Sequence, residues 1–263
     1  PLELDDIGLV ILTSGTTQGQ RRGALLSHRS LCGTAQYMNE RMGIDSSVRD
    51  LVTAPLEHGF GMGRARCALH AGGTVIFQSG LFSPRAVIDE MRRRDCNMLS
   101  AAVSAIVLLL DNEDAELKAL ADRIRWLEMG TGHLKPFHRG ALAESLPHTR
   151  CFMTYGLTEA IRSTFLELNV DLAKIDSVGK PTPWVRLQIV GDDGAVAPTG
   201  IEGRIQVDGV NKASGYFGFQ GAWDAKQSGD WLDTGDRGIL DDEGFLTFIG
   251  RNDDMINVGG LKV

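Results

Sequence analysis

The chain has 263 residues, a formal net charge of −7, 43% hydrophobic and 23% charged residues, an ordinary globular composition that excludes disordered and fibrous classes. A chain of this length buries roughly 70–75% of its unfolded surface, so neither disulfides nor metals are required to hold a core. No block of five Lys/Arg occurs, which excludes the clustered basic charge that drives binding to nucleic acid or anionic membranes.

The N-terminus, Pro1-Leu-Glu-Leu-Asp-Asp6, lacks the charged start and apolar stretch of a signal peptide, and the missing initiator methionine leads us to expect a fragment. Up to about residue 180, apolar runs at 7–12, 51–54, 74–77, 98–101, 126–129 and 151–154 read as strands with helical segments between them. Such alternation predicts α/β layers with a largely parallel sheet. One helix is clearly signalled. Ser83 is its N-cap and Pro84 its first residue; Val87, Ile88 and Met91 share a face, with Asp89/Arg93 and Glu90/Arg94 paired. Its Arg92-Arg93-Arg94 run therefore reads as a solvated face. The longest apolar run, 98–110, is shorter than the roughly 20 residues of a membrane span and reads as a buried strand entering a helix.

Beyond a boundary near 177–183, short strands and Asp/Gly turns at 191–194 and 241–244 predict a small antiparallel β subdomain over 181–250. Residues 251–263 then read as a hinge and the start of a further domain. Cys32, Cys67, Cys96 and Cys151 lie far apart without metal-ligand spacing, and read as buried apolar residues in a reducing compartment, by default the cytoplasm.

Three segments carry candidate chemistry. Leu12-Thr-Ser-Gly-Thr-Thr-Gln-Gly-Gln-Arg-Arg-Gly23 follows a strand and precedes a helix expected near Ser27. Its hydroxyls, backbone N–H groups and cations suit a polyphosphate, and a polar turn is an equal reading of this segment alone. It is neither a Walker loop nor a dinucleotide fingerprint. Met153-Thr-Tyr-Gly-Leu-Thr-Glu159 delivers an aromatic ring, a hydroxyl and a carboxylate at a strand end, which suits a base, a phosphate and Mg²⁺. Trp231-Leu-Asp-Thr-Gly-Asp236 and Gly250-Arg-Asn-Asp-Asp254 are each ordinary turn sequences.

Taken in order along the chain, Thr-Ser-Gly-Thr-Thr, Tyr-Gly-Leu-Thr-Glu, Thr-Gly-Asp and Gly-Arg-x-Asp-Asp resemble the adenylate-forming (AMP-binding) superfamily of acyl-CoA synthetases, aryl-acid ligases and adenylation domains. Pro55-Leu-Glu-His58, Gly130-Thr-Gly132 and Gly203-Arg-Ile-Gln-Val-Asp-Gly209 before Gly215-Tyr216 add to the match.

The resemblance implies ATP-dependent activation of a carboxylic acid as an acyl-adenylate, then transfer to the thiol of CoA or of a carrier-protein phosphopantetheine. A non-catalytic nucleotide-binding remnant is the alternative. By the same resemblance, Thr13, Ser14, Gly15, Thr16, Thr17 and Arg22 would wrap the phosphates, and Thr158 and Glu159 would act at Mg²⁺, with Glu159 its ligand. Gly130, Thr131, Gly132, Tyr155 and Gly156 would enclose adenine. Asp236 would hold the ribose and Arg251 would sit near ribose or phosphate. His58, Gly59 and Phe60 would line the acyl pocket, and Asp253 would be the hinge. Amino-acid-activating relatives place an aspartate where Gly59 falls, with Glu57 as the available substitute, so an acyl or aryl acid is expected. His28 is expected to begin a helix, and the remaining histidines to be ordinary surface residues.

Two departures from the family pattern stand out. The phosphate loop lacks the family's Gly-x-Pro-Lys-Gly and offers Arg21 and Arg22 instead of lysine. Only twelve residues precede that loop, so part of the central fold is expected to be missing, leaving exposed apolar surface.

Overall fold

In the computed structural model the described residues are 2–13, 21–78, 82–130, 132, 134–174 and 176–251, together with the backbone of 257–258 and 261–262. The elements are β1 (Ile7–Leu12), β2 (Gly23–Ser27), α1 (His28–Met42), β3 (Arg49–Val52), α2 (Gly59–His70), β4 (Thr74–Phe77), α3 (Pro84–Arg93), β5 (Met98–Ala102), α4 (Val103–Lys118), β6 (Trp126–Gly130), α5 (Pro136–Ser145), β7 (Arg150–Leu157) and β8 (Ala160–Glu167). Beyond them come β9 (Lys180–Pro181), β10 (Val185–Val190), β11 (Gly203–Gly209), α6 (Gln220–Asp224), β12 (Gln227–Ser228), β13 (Trp231–Leu240), β14 (Leu246–Arg251) and the short pair β15 (Asn257–Val258) and β16 (Leu261–Lys262).

A seven-stranded sheet runs in the order β4-β3-β5-β6-β7-β8-β9. Its first five strands are parallel, and β8 and β9 close it antiparallel. Alternation along each strand covers both faces. Leu51, Leu99, Leu127, Met129 and Met153 pack with Val87, Ile88, Met91, Ile106 and Leu109 of α3 and α4. Met98, Trp126, Phe152 and Phe165 pack with Ala35, Met38 and Met42 of α1 and Cys67 of α2.

Local chemistry accounts for the helices. Ser83 Oγ accepts from Ala86 N ahead of Pro84, and α3 then buries Val87, Ile88 and Met91. Asp89, however, pairs with Arg85, while Arg93 and Arg94 both reach Glu90. Ser27 caps α1 through Ser30 N, and Gly43 ends it at φ 67, the left-handed conformation glycine adopts freely. The run 98–110 divides into strand β5 and the start of α4, as its sequence predicts.

A second, five-stranded antiparallel sheet joins β10, β11, β13 and β12 in order, with β14 on β13. The turn at 241–244 closes the β13–β14 hairpin, with Gly244 at φ 83 and Asp241 Oδ1 accepting from the N–H groups of Glu243 and Phe245.

Three expectations are corrected. Ile7–Leu12 is outside the parallel sheet and pairs antiparallel with Gly23–Ser27, a strand its sequence did not announce. Trp231–Asp236 is the first part of a ten-residue strand rather than a turn. Cys32 is exposed on α1, whereas Cys67, Cys96 and Cys151 are buried, all four as free thiols. Leu2, Leu4, Ile7, Val10 and Leu12 form an exposed apolar side of the N-terminal hairpin. No helix among the described residues is long and apolar enough to cross a membrane.

Candidate functional site

The ends of β7 and β14 meet the middle of β13. Tyr155, near the end of β7, donates its hydroxyl hydrogen to Asp236 Oδ2 at 2.7 Å, and Arg251 Nη1 donates to Oδ1 of the same carboxylate at 2.7 Å. Asp236 is buried at 4% exposure, on a strand whose register with β14 sets it opposite Arg251. Phe248 lies beside the Tyr155 ring at a centroid separation of 6.0 Å. Burial and the adjacent Asp236 charge raise the Tyr155 phenol well above its ordinary range, so it stays a donor.

One turn further along the chain, Thr158 and Glu159 link β7 to β8. Glu159 is buried at 8% exposure and Oε1 accepts from the Tyr216 hydroxyl at 2.5 Å. Gly156 sits where the β7–β8 register shifts, and a Cβ there would lie 2.5 Å from Arg162 N. Only glycine fits this close approach of two strands.

The base of the phosphate-loop candidate is fixed by Thr13 and Arg22. Thr13 N donates to Arg22 O at 2.8 Å and Arg22 N donates to Thr13 Oγ1 at 3.2 Å. The Arg22 guanidinium stacks over the Tyr216 ring at 5.5 Å. Ser14, Gly15, Thr16, Thr17, Thr131 and Asp253 lie outside the described residues.

The acyl-pocket candidates form a separate group at the start of α2. His58 is its exposed N-cap residue, without a side-chain capping bond, and Gly59 and Phe60 follow in the first turn. A Cβ on Gly130 would lie 2.9 Å from the Phe60 ring, so Phe60 packs closely on the Gly130 backbone. Gly132 closes against Val103 in the same way, at 3.0 Å. Arg162 Cζ lies 5.8 Å from the centre of the Phe60 ring. His28 begins α1, while His138 of α5 lies 3.6 Å from Asp111.

The sequence reading missed a buried ionic cluster beneath this group. Asp50, Ser100, Glu128 and Thr154 project from β3, β5, β6 and β7 on the α1–α2 face, and Arg64 of α2 inserts among them at 0% exposure. Arg64 reaches Asp50 Oδ2 at 3.0 Å and Glu128 Oε2 at 2.7 Å; Ser100 Oγ donates to Asp50 Oδ1 at 2.8 Å and Arg162 Nη2 to Glu128 Oε1 at 3.3 Å. Burial raises the Asp50 carboxyl, against the pull of Arg64. Polar residues inside otherwise apolar strands were the available signal.

The family model described as AMP-binding enzyme matches residues 1–217. The chain belongs to the AMP-binding enzyme family. A relative, feruloyl-CoA synthase of an Amycolatopsis species, is 31% identical over 273 residues, covering 100% of this chain and 53% of its own. The 2-succinylbenzoate–CoA ligase of Bacillus cereus is 29% identical over 263 residues, covering 99% and 53%. Among solved structures, the Bacillus subtilis o-succinylbenzoate CoA synthetase with a product analogue superposes with a TM-score of 0.89 at 28% identity, covering 100% of this chain and 53% of that one. The same enzyme with ATP and magnesium ion gives 0.86 at 28% identity. The chain thus has the large-domain fold of these AMP-binding enzymes and spans about half their length.

Proposed function

We propose that this chain carries the nucleotide-binding part of an ATP-dependent acid–thiol ligase, which joins an acyl or aryl acid to AMP with release of pyrophosphate and passes the acyl group to a thiol. The observation that carries the reading is the convergence of Tyr155 and Arg251 on the buried carboxylate of Asp236, three residues from separate sequence motifs. Membership of the AMP-binding family and the CoA-ligase names of its relatives support it. CoA is the proposed acceptor, with a carrier-protein phosphopantetheine as the alternative thiol, and the cytoplasm is the proposed compartment.

In this reading the Asp236 carboxylate takes hydrogen bonds from the ribose hydroxyls, and Tyr155 with Gly130, Thr131, Gly132 and Gly156 encloses adenine. Thr13 and Arg22 anchor the loop of Ser14, Gly15, Thr16 and Thr17 on the β- and γ-phosphates. His58, Gly59 and Phe60 line the acyl pocket. Residues 1–180 form the nucleotide and acyl subdomain, 181–250 the small β subdomain, and 251–263 the hinge region around Asp253.

Glu159 fits a hard divalent cation. It is a buried carboxylate with one oxygen held by Tyr216 and no other side-chain hydrogen bond among the described residues. Mg²⁺ held by Glu159 beside Thr158 would supply charge neutralisation where an anionic acid must approach an anionic phosphate. Arg22 and Arg251 bring fixed positive charge to the same end of the fold, and Tyr155 and Asp236 fix the orientation of the nucleoside, so catalysis rests on positioning rather than on a protein nucleophile.

The test is calorimetric titration of this chain with ATP and AMP, beside a pyrophosphate-release assay with fatty, aryl and α-amino acids. Nucleotide binding with acid-dependent pyrophosphate release from fatty or aryl acids is expected. Binding without release for any acid would favour the non-catalytic alternative.

A further inference from the structure

The Tyr216 side chain joins two charged groups that belong to different motifs. Its hydroxyl donates to Glu159 Oε1 at 2.5 Å, and its ring carries the Arg22 guanidinium at 5.5 Å. The residue is buried at 3% exposure and has little freedom to move. Backbone bonds from Ser214 N to Leu25 O at 2.8 Å, Leu25 N to Gly215 O at 2.9 Å and Phe217 N to Gly23 O at 2.8 Å tie the segment to β2 through an isolated antiparallel bridge between Ala24 and Tyr216. Ala213 N donates to Glu159 O at 2.8 Å, which ties the same segment to the β7–β8 turn. Trp223 packs edge-on against the ring, with centroids 5.3 Å apart and planes at 88°.

We infer that Tyr216 is a positioning residue that sets the Glu159 carboxylate for a divalent cation and the Arg22 guanidinium for the phosphates of the nucleotide. The inference rests on the ligase reading above and adds a residue to it. A buried carboxylate with a single side-chain donor takes its orientation from that donor, because no second partner competes for it among the described residues. The phenol holds one oxygen and leaves the other for the cation. Among the described residues the buried Nε of Arg22 has no hydrogen-bond partner, so the ring face beneath it fixes where its charge sits. The hydroxyl faces both the Glu159 carboxylate and the Arg22 guanidinium, while the ring acts on Arg22 alone, so removing the hydroxyl bears chiefly on the cation and removing the ring adds an effect on the anion.

The experiment measures ATP affinity of this chain by calorimetry in EDTA and in Mg²⁺, for the unmodified protein, Tyr216→Phe, Tyr216→Leu, Glu159→Gln and the Tyr216→Phe/Glu159→Gln double variant. The unmodified chain is expected to gain affinity with Mg²⁺. Tyr216→Phe keeps the ring, so its affinity in EDTA falls less than that of Tyr216→Leu while its Mg²⁺-dependent gain falls about tenfold. Tyr216→Leu lowers affinity in EDTA as well, by about two- to fivefold, because Arg22 loses its ring. Glu159→Gln abolishes the gain, and adding Tyr216→Phe to it changes nothing more, which a merely structural role of Tyr216 would not produce.

A second measurement needs no Tyr216 variant. The near-ultraviolet difference spectrum between Mg²⁺·ATP and ATP in EDTA is expected to show a tyrosine perturbation that Glu159→Gln removes. An intact Mg²⁺ gain in Tyr216→Phe, an additive loss in the double variant, or no Mg²⁺-dependent tyrosine signal in the unmodified chain overturns the assignment alone. Failure of the unmodified chain to bind ATP with or without Mg²⁺ overturns the ligase reading and this assignment with it.

Discussion

The Tyr155 hydroxyl and the Asp236 carboxylate meet at 2.7 Å across 81 positions of sequence, and Arg251 holds the other carboxylate oxygen. Both oxygens that the ligase reading assigns to ribose hydroxyls are thus engaged within the protein. A nucleoside diol offers the same kind of donor as the phenol, so it can replace Tyr155 at Asp236 and leave the ring free to lie on the base.

That exchange gives the first prediction. Asp236→Ala removes the acceptor for the diol and is expected to weaken ATP and AMP to the same degree, by about 10- to 150-fold. Calorimetry with both nucleotides checks it, with unfolding midpoints measured on the same samples. A role confined to bridging β13 and β14 would instead lower the midpoint at unchanged affinity.

The second prediction concerns alkaline pH. Burial pushes the Cys151 thiol up to about 12 and the Cys96 thiol up to about 11, from an ordinary value of 9.0. Above pH 9 the unfolded chain releases these protons while the folded chain keeps them, so stability is fully present below pH 9 and falls as pH rises towards 11 to 12. Tyr155, also raised, adds to the fall above its unfolded value. Urea midpoints measured between pH 8 and 11 should decline, and Cys151→Ala should flatten the decline. At neutral pH only the exposed Cys32 should alkylate rapidly in the folded protein.

Arg64 carries the third prediction. It is buried at 0% exposure between Asp50 and Glu128, so Arg64→Met leaves two carboxylates in the sheet interior without their shared cation. The expected loss is about 3–5 kcal/mol by denaturant titration. Glu128 keeps Arg162, so Asp50 is the carboxylate left without a cation, and adding Asp50→Asn should restore much of the stability of Arg64→Met. A similar loss in the double variant would mean that the cavity left by the side chain, rather than charge, dominates.

Legibility in the sequence followed local chemistry. The Ser83-Pro84 start and single apolar face defined where α3 begins and which side it buries, and Asp241 with Gly244 defined a hairpin. β8 escaped because all eight of its residues are buried, which erases the alternation that marks a half-buried strand. β2 escaped because its five residues run straight into α1 with no turn residue between them. Arg64 lies in a glycine-rich stretch that reads as surface, and its partners Asp50 and Glu128 are brought to it only by the register of β3, β5 and β6. Of the proposed site, the motifs singled out Tyr155, Glu159, Asp236 and Arg251, and the fold brings Tyr155, Asp236 and Arg251 together. Tyr216 was matched without a role, since its contact to Glu159 spans 57 positions.

The last prediction compares two glycines. Gly156 lies between Tyr155 and Leu157, where the β7–β8 register shifts, and an added Cβ would meet Arg162 N at 2.5 Å and Ala160 O at 2.9 Å. Both are backbone atoms, so no rotamer change relieves the clash, and Arg162 itself holds a left-handed φ of 49 that leaves its backbone little room to adjust. The strands must separate along the segment that carries the Tyr155 ring and the Glu159 carboxylate. Gly156→Ala is therefore expected to cost about 1–3 kcal/mol of stability and to weaken ATP binding more than tenfold (about 1.4 kcal/mol or more). Gly140, exposed on α5, has nothing within 4 Å of its Cβ position, and Gly140→Ala should raise stability by about 0.5–1 kcal/mol with ATP affinity unchanged. Denaturant titration and ATP calorimetry on the two variants separate a local requirement at the β7–β8 turn from a general response to losing a glycine: if Gly156→Ala binds ATP as tightly as Gly140→Ala does, the turn does not set the nucleotide site.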